Sequence, residues 1–193
     1  MEKLDRSNLW SLEEYATKRE EFRALIISHK RLRQVKLGPH ATLFFEDFLT
    51  MKYQVQEMLR VERIFEPDGI SEEIASYNPL IPDGHNWKAT LMIEYSDVGE
   101  RARALARMAG VEHKVWIKVE EHPRVFALAN EDMERSTEGK TAAVHFLRFE
   151  LDTQMICSLK DAACLTAGID HPELGYCIEV SSATRNALVQ DLR

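Results

Sequence analysis

Cysteine is scarce in this chain, and its spacing excludes the common thiol-based sites. The 193 residues contain three cysteines, Cys157, Cys164 and Cys177, and no C-x-x-C pair. An iron–sulfur cluster takes four thiolates in most sites, so these cysteines do not fit one. Their odd number, and a start without the apolar core of a signal peptide, favour a reduced protein with a cytoplasmic location. A hairpin turning near residue 170 would let Cys164 face Cys177, but we expect reduced thiols there.

Positive charge and long apolar runs are also lacking. The formal net charge is -7 and the sequence pI is about 5.6. A general nucleic-acid binder needs a net basic face to release counterions, so we expect no nucleic-acid partner. No apolar run approaches the ~20 residues that a membrane helix needs, so we expect no membrane partner either.

The sequence contains no motif that is specific for one chemistry. It has no G-x-G-x-x-G, no P-loop and no G-x-S-x-G elbow. It also has no Glu-x-x-His pair, so the di-iron arrangement of four-helix bundles is not supported. We therefore assign no residue as a metal ligand, and the sequence leaves open whether a metal binds, which cofactor is used and whether the protein is an enzyme.

The residues that are present predict one α+β domain over residues 1–193. Hydrophobic residues make up 45% of the chain, enough for a sizeable core. The pattern of helices and hairpins favours a largely antiparallel sheet flanked by helices. Predicted helices begin at Ser11 (a capping box with Glu14) and Asp97, and cover residues 47–65, 70–77, 153–160 and 182–192. Predicted strands flank Gly38 and cover residues 87–95, 114–120, 124–129, 140–151, 163–169 and 176–180.

The clearest strand is KTAAVHFLRFEL, residues 140–151. Both of its faces are apolar from residue 142 to residue 147, which predicts a central strand that is covered on both sides. His145 and Arg148 point to opposite faces. For His145 we expect a neutral imidazole with two local hydrogen bonds, and for Arg148 an ion pair with a carboxylate on a neighbouring element.

The second long helix carries a carboxylate on its apolar stripe. On a helical wheel Glu62 falls within about 40° of Met51, together with Val55 and Met58. A buried carboxylate needs a cation or several donors, and Arg148 is the candidate partner. Glu57 lies about 140° from Glu62, so the two cannot bind one metal ion from a regular helix.

Four stretches are similar to an uncharacterised bacterial family that is classed as a domain of unknown function. They are FEDFLTMKYQVQEMLRVERIFE, YNPLIPDG, KTAAVHFLRFEL and DHP. Genes of that family often lie beside rubrerythrin-like and iron–sulfur oxidoreductase genes. The resemblance thus implies a role near redox or oxidative-stress metabolism, with such a protein as partner.

Two functions follow as hypotheses. The first is a binding or accessory protein that acts with a redox partner or a small ligand, either alone or as a homo-oligomer. The second is an enzyme or metal-dependent site, because polar residues on apolar faces are enriched at sites. Its candidate residues are Glu57, Glu62, His145 and Arg148, with His40, Glu46 or Asp132 closing the site. Asn130 and the acidic residues Glu131, Asp132 and Glu134 could hold a hard cation, but a solvated loop is favoured.

Overall fold

The computed structural model describes residues 2–131 and 140–193. Its helices are α1 (Leu12–Arg31), α2 (Phe48–Glu62), α3 (Pro67–Tyr77), α4 (Val98–Arg107), α5 (Thr153–Lys160) and α6 (Ser182–Val189). Its strands are β1 (Gln34–Lys36), β2 (Ala41–Glu46), β3 (Asn86–Ile93), β4 (Val115–Val119), β5 (Val125–Phe126), β6 (Leu128–Ala129), β7 (Val144–Glu150), β8 (Leu165–His171) and β9 (Leu174–Glu179). Within these residues no helix combines the length and apolar character needed to cross a bilayer.

The strands divide between two antiparallel sheets. The first has the order β1-β2-β3-β7-β6 and the second the order β5-β4-β8-β9. The predicted α+β class with antiparallel strands and flanking helices is confirmed. The division into two sheets was not predicted, because alternation in a sequence shows that a strand exists and does not show which strand it pairs with.

Residues of both sheets form one buried apolar cluster. Trp87 and Phe149 of the first sheet belong to it, together with Ile117 and Ile169 of the second. Each apolar side chain of this size stabilises the fold by roughly 1.5–3 kcal/mol when fully buried. Trp87 also donates a hydrogen bond from Nε1 to the carbonyl oxygen of Leu188, 2.9 Å away, which fixes the residues at the end of α6 against the first sheet.

Helices α1, α2 and α3 pack against one another through two smaller clusters. Met51, Val55 and Leu59 of α2 pack with Ile74 of α3 in one of them. In the other, α1 buries the residues Tyr15, Phe22 and Ile26 against Trp10, Leu49 and Tyr53. These clusters place the three helices in a layer of their own.

The ends of α2 follow from local chemistry. Asp47 caps the N-terminus: its side chain accepts a hydrogen bond from the Thr50 backbone N–H, and its own backbone N–H donates one to Thr50 Oγ1. Arg63 takes a left-handed conformation with φ 56°, which ends the helix at Glu62. The helix predicted over residues 47–65 is therefore shorter at its C-terminus.

The strand around His145 differs from the prediction in one respect. β7 lies between β3 and the two-residue strand β6, and its odd-numbered side chains, such as His145 and Phe149, are buried. Its even-numbered side chains are only partly covered, and Val144 is 37% exposed. The expectation that both faces are covered is wrong, because Val144 and Phe146 border a cavity and not the core.

Candidate functional site

The face of the first sheet that points away from the shared core carries aligned side chains from three strands. The register aligns Phe44 with Thr90 and Phe146, and Glu46 with Lys88 and Arg148. Because neighbouring residues of a strand alternate between faces, these even-numbered residues lie opposite the buried Trp87 and Phe149. We call this surface the outer face.

A cavity of about 390 Å³ lies between the outer face and the layer of α1, α2 and α3. Most of its lining is apolar or aromatic, and few of its side chains carry charge. The lining residues are Lys30, Phe44, Glu46, Met51, Gln54, Tyr77, Leu80, Thr90, Met92, Val144 and Phe146. Ligand pockets in proteins are typically of this size and character.

Glu46 is the buried acidic residue of this cavity. The residue is only 6% exposed. Its Oε1 accepts a hydrogen bond from Thr90 Oγ1 at 2.7 Å. The second oxygen, Oε2, is buried and has no hydrogen-bond partner among residues 2–131 and 140–193. Leaving such a group unsatisfied costs roughly 1–3 kcal/mol or more. Glu46 therefore has one unused acceptor, buried at the wall of the cavity.

Arg33 holds the backbone at Glu46 in place. Its Nε donates to the carbonyl oxygen of Phe45 at 3.2 Å, and its Nη2 donates to the carbonyl oxygen of Glu46 at 3.4 Å. The backbone N–H of Phe45 in turn donates to the carbonyl oxygen of Arg33. The end of β2 is thus fixed by a buried guanidinium that does not itself line the cavity.

Two buried carboxylates balance the charge of Arg33. Nη2 forms an ion pair with Asp191 Oδ2, and Nε lies 3.5 Å from Asp47 Oδ2, which also lies 2.6 Å from His29 Nε2. Burial alone would raise the pKa of Asp47, but the hydrogen bond from His29 and the charge of Arg33 outweigh it and lower that pKa. At Asp191, burial outweighs the attraction of Arg33 and raises the pKa to about 6.

A smaller cavity of about 60 Å³ adjoins the first and shares Leu80 and Phe146 with it. Lys88 and Arg148 line this second cavity. Arg148 makes two hydrogen bonds to Glu131, at 2.7 and 2.6 Å, and an ion pair with Glu150. Burial, followed by the charge of Arg148, lowers the pKa of Lys88.

The expected pair between Glu62 and Arg148 does not form. Glu62 is exposed in the last turn of α2, because the helix ends there and the apolar stripe ends with it. Arg148 takes its carboxylates from Glu131, which follows β6, and from Glu150, on its own strand. Arg148 does form an ion pair with a neighbouring segment, but the sequence pointed to the wrong partner.

Glu57 lies in a network that joins α1 to α2. Its carboxylate accepts four hydrogen bonds: two from Arg19, at 2.7 and 2.9 Å, one from the Tyr15 hydroxyl at 2.6 Å and one from Arg60. The hydrogen bonds from Arg19 are the main cause that lowers the pKa of Glu57 to about 2. The network explains the position of Glu57 without any role in a site.

His145 lies on the buried side of β7, away from the cavity at the outer face. Its Nε2 is 2.8 Å from Thr141 Oγ1, and its Nδ1 is 3.1 Å from the side-chain nitrogen of Asn130. The carboxylate of Glu112, which is 2% exposed, lies 3.9 Å from Nε2. The side chains of His145 and Arg148 therefore project from opposite faces of the sheet, as the alternation along the strand predicts.

The remaining candidates do not gather around one centre. His40 stacks on Tyr95 with ring centroids 3.9 Å apart, and its Nδ1 lies 3.0 Å from the carbonyl oxygen of Glu94. Asp132 and Glu134 lie outside the described residues. In the part of the chain that the structure describes, no group of three or more His, Cys, Asp or Glu residues could hold a metal ion.

The cysteines are free thiols, and each is exposed. The β8–β9 register aligns Cys177 with Gly168, so Cys177 does not lie opposite Cys164. Cys164 donates a hydrogen bond to Glu179 Oε1 at 3.2 Å, and this carboxylate is the main cause that raises the pKa of the Cys164 thiol. That shift disfavours the reactive thiolate.

Comparison with known proteins places the chain in a family without an assigned activity. The family described as "Protein of unknown function (DUF3501)" matches residues 3–192. The chain belongs to this family. The resemblance to an uncharacterised family, which the sequence showed, is thus confirmed.

A solved structure shares the fold over its whole length. It is described as the crystal structure of a novel protein of unknown function from Burkholderia pseudomallei K96243. The two chains are 45% identical, each covers 100% of the other, and the TM-score is 0.95. A search of curated proteins finds no match to this chain. The comparisons establish family and fold, and the function must be argued from the site.

Proposed function

We propose that this protein binds a small molecule in the cavity between the outer face and helices α1–α3. The observation that carries the proposal is the composition of that cavity. The cavity of about 390 Å³ is bordered mostly by apolar and aromatic side chains, and its wall contains a single buried carboxylate, Glu46. A mostly apolar pocket with a few well-placed polar groups is the usual form of a ligand site.

Binding is favoured over catalysis because the candidate catalytic groups do not converge there. Glu57 is engaged by Arg19 and Tyr15, and Glu62 is exposed at the end of α2. His145 lies on the other side of the sheet. An acid–base mechanism needs its groups within hydrogen-bond reach of one reacting atom, and these three residues are spread over separate parts of the fold.

A fluorescence titration with the apolar dye Nile red tests the proposal. Met92→Trp adds a large side chain to the cavity wall, so we expect the dye to bind the wild type and to bind this variant about tenfold more weakly. Val61→Trp places the same side chain at a position that is 62% exposed on α2 and should leave binding unchanged. Equal binding by both variants, or no binding by the wild type, would contradict a ligand site in this cavity.

We further propose that the chain acts as one unit, in the cytosol, as an accessory protein beside redox metabolism. The gene neighbourhood implied by the resemblance supports the redox setting, and the three free thiols support a place in the cytosol. The partner would be a rubrerythrin-like protein or an iron–sulfur oxidoreductase. Co-purification under gentle conditions is the measurement, and the absence of such a protein from the purified material would count against the accessory role.

A further inference from the structure

We propose that the ligand is an apolar, preferably aromatic molecule with one protonated nitrogen, and that this nitrogen donates a hydrogen bond to Oε2 of Glu46. The inference rests on the proposed function, since it assigns a chemical class to the occupant of the same cavity. It follows from the acceptor that is left unused, from the charges nearby and from the apolar lining.

The unused acceptor defines the polar part of the ligand. A carboxylate accepts hydrogen bonds and donates none, so its complement is an N–H or O–H donor. Oε1 of Glu46 is already taken by Thr90, while Oε2 has no donor in the described ranges. A protonated amine satisfies Oε2 and also balances its charge, and charge-assisted hydrogen bonds are roughly twice as strong as neutral ones.

The cationic side chains near Glu46 are bound to other groups or exposed to water. Arg148 is held by Glu131 and Glu150, and Arg33 binds the backbone of Glu46 and the carboxylate of Asp191. Lys88 faces Glu46 across the strand register, but it lines the smaller cavity and makes no hydrogen bond to Oε2 of Glu46. Lys30 lines the main cavity and is half-buried, so water solvates part of its charge.

The lining defines the rest of the ligand. Phe44 and Phe146 flank Thr90 in one cross-strand row, and Tyr77 reaches the cavity from α3. Aromatic rings pack well against an aromatic body, and the negative faces of such rings also attract a cation. An anionic ligand of the same shape would meet the carboxylate of Glu46 and should be rejected.

Three probes of matched shape separate these features. They are 2-phenylethylamine, which carries the cation, 2-phenylethanol, which is neutral, and phenylacetate, which is an anion. Each would compete with Nile red on the wild-type protein near pH 7. We expect the amine to bind about tenfold more tightly than the alcohol, and phenylacetate to bind more weakly than either.

Glu46→Gln and Glu94→Gln are the matched variants. Glutamine keeps the shape of Glu46 but removes the charge, so we expect the preference for the amine over the alcohol to fall to about threefold or less. Glu94 is exposed and outside the cavity lining, and its substitution should leave the preference intact. If Glu46→Gln fails to fold, the competition between the three probes on the wild type decides the matter by itself.

The outcomes distinguish this inference from the function on which it rests. If the alcohol and Nile red bind but the amine has no advantage, the cavity is a ligand site and the assigned ligand class is wrong. If amine binding appears only after Lys88→Met, Lys88 satisfies Glu46 in solution and the inference is likewise overturned. If no probe binds and Nile red does not bind, the proposed function itself fails.

Discussion

Glu46, Glu57 and Asp191 are carboxylates of one chain, and each meets a different environment. Glu57 is surrounded by donors, which lower its pKa to about 2. Asp191 has a cationic partner in Arg33, yet burial raises its pKa to about 6. Glu46 has one oxygen hydrogen-bonded to Thr90 and the other buried without a partner in the described residues, in the wall of a cavity. At the scale of a residue, the group with an unused acceptor is the one that indicates a ligand.

Replacing Glu57 by glutamine should destabilise the protein by about 1–3 kcal/mol at pH 7. The change removes the charge that Arg19 and Arg60 contact, and unfolding in urea at several pH values measures the loss. The folded pKa of Glu57 is lowered from 4.5 to about 2. Its stabilising effect is therefore present above pH 4.5 and is lost as the pH falls towards 2.

The difference between Glu57→Gln and the wild type should accordingly shrink over that acidic range. Glu62→Gln is the control, since Glu62 belongs to the same helix and is exposed. A difference from the wild type that stays constant from pH 7 to pH 3 would show that charge does not explain the effect.

Strands and helices were predicted well where the signal is local. The capping box of Ser11 and Glu14 starts α1, and the residue at position 47 caps α2. The end of α2 was missed because Arg63 takes the left-handed conformation that ends the helix. This position is usually glycine or asparagine, so an arginine gives no signal in the sequence. Hairpin pairs such as β4 with β5 follow from the sequence, but pairs of strands that are far apart in sequence, such as β3 with β7, could not be predicted.

The second sheet contains a close contact that one methyl group should disrupt. A Cβ at Gly168 of β8 would lie 2.3 Å from the Trp116 ring and 2.7 Å from the carbonyl oxygen of Tyr176. We expect Gly168→Ala to destabilise the fold by about 1–3 kcal/mol, because the Trp116 ring and the Tyr176 backbone would both have to shift in a closely packed region. Thermal unfolding followed by circular dichroism measures it.

Gly175→Ala, in the neighbouring strand β9, is the matched control for Gly168→Ala. The nearest atom to its added Cβ would be the His171 carbonyl oxygen at 3.8 Å, an ordinary contact. This variant should unfold within a few degrees of the wild type. Equal melting temperatures for the two alanine variants would contradict the close packing described for β8.

For the molecule as a whole, the two sheets form the core and three helices form a layer that leaves a cavity above the outer face. From the sequence, the apolar residues Val144 and Phe146 were predicted to be part of the buried core. A side chain that lines a cavity and one that fills a core are both apolar, so the pattern cannot separate them. Glu46 was named only as a residue closing another site, because a carboxylate after two phenylalanines also fits a strand that ends at the surface.

Arg33 links distant parts of the molecule, and its loss should be costly. Arg33→Met would leave Asp47 and Asp191 buried without their shared cation, so we expect a destabilisation of about 3–5 kcal/mol in urea unfolding at pH 7. Arg31→Met removes an exposed arginine two positions away and should have little effect. Similar unfolding midpoints for the two variants would disprove the linking role of Arg33.

The pairing of Arg33 with Asp191 also sets an order of events on the ribosome. The two residues are 158 positions apart, and at roughly 5–20 residues per second about 8 to 30 s separate their synthesis. During that interval Arg33 and the Glu46 backbone that it holds lack one of their anchors. The cavity wall at Glu46 therefore reaches its final form only after translation has passed residue 191, however early the strand itself emerges.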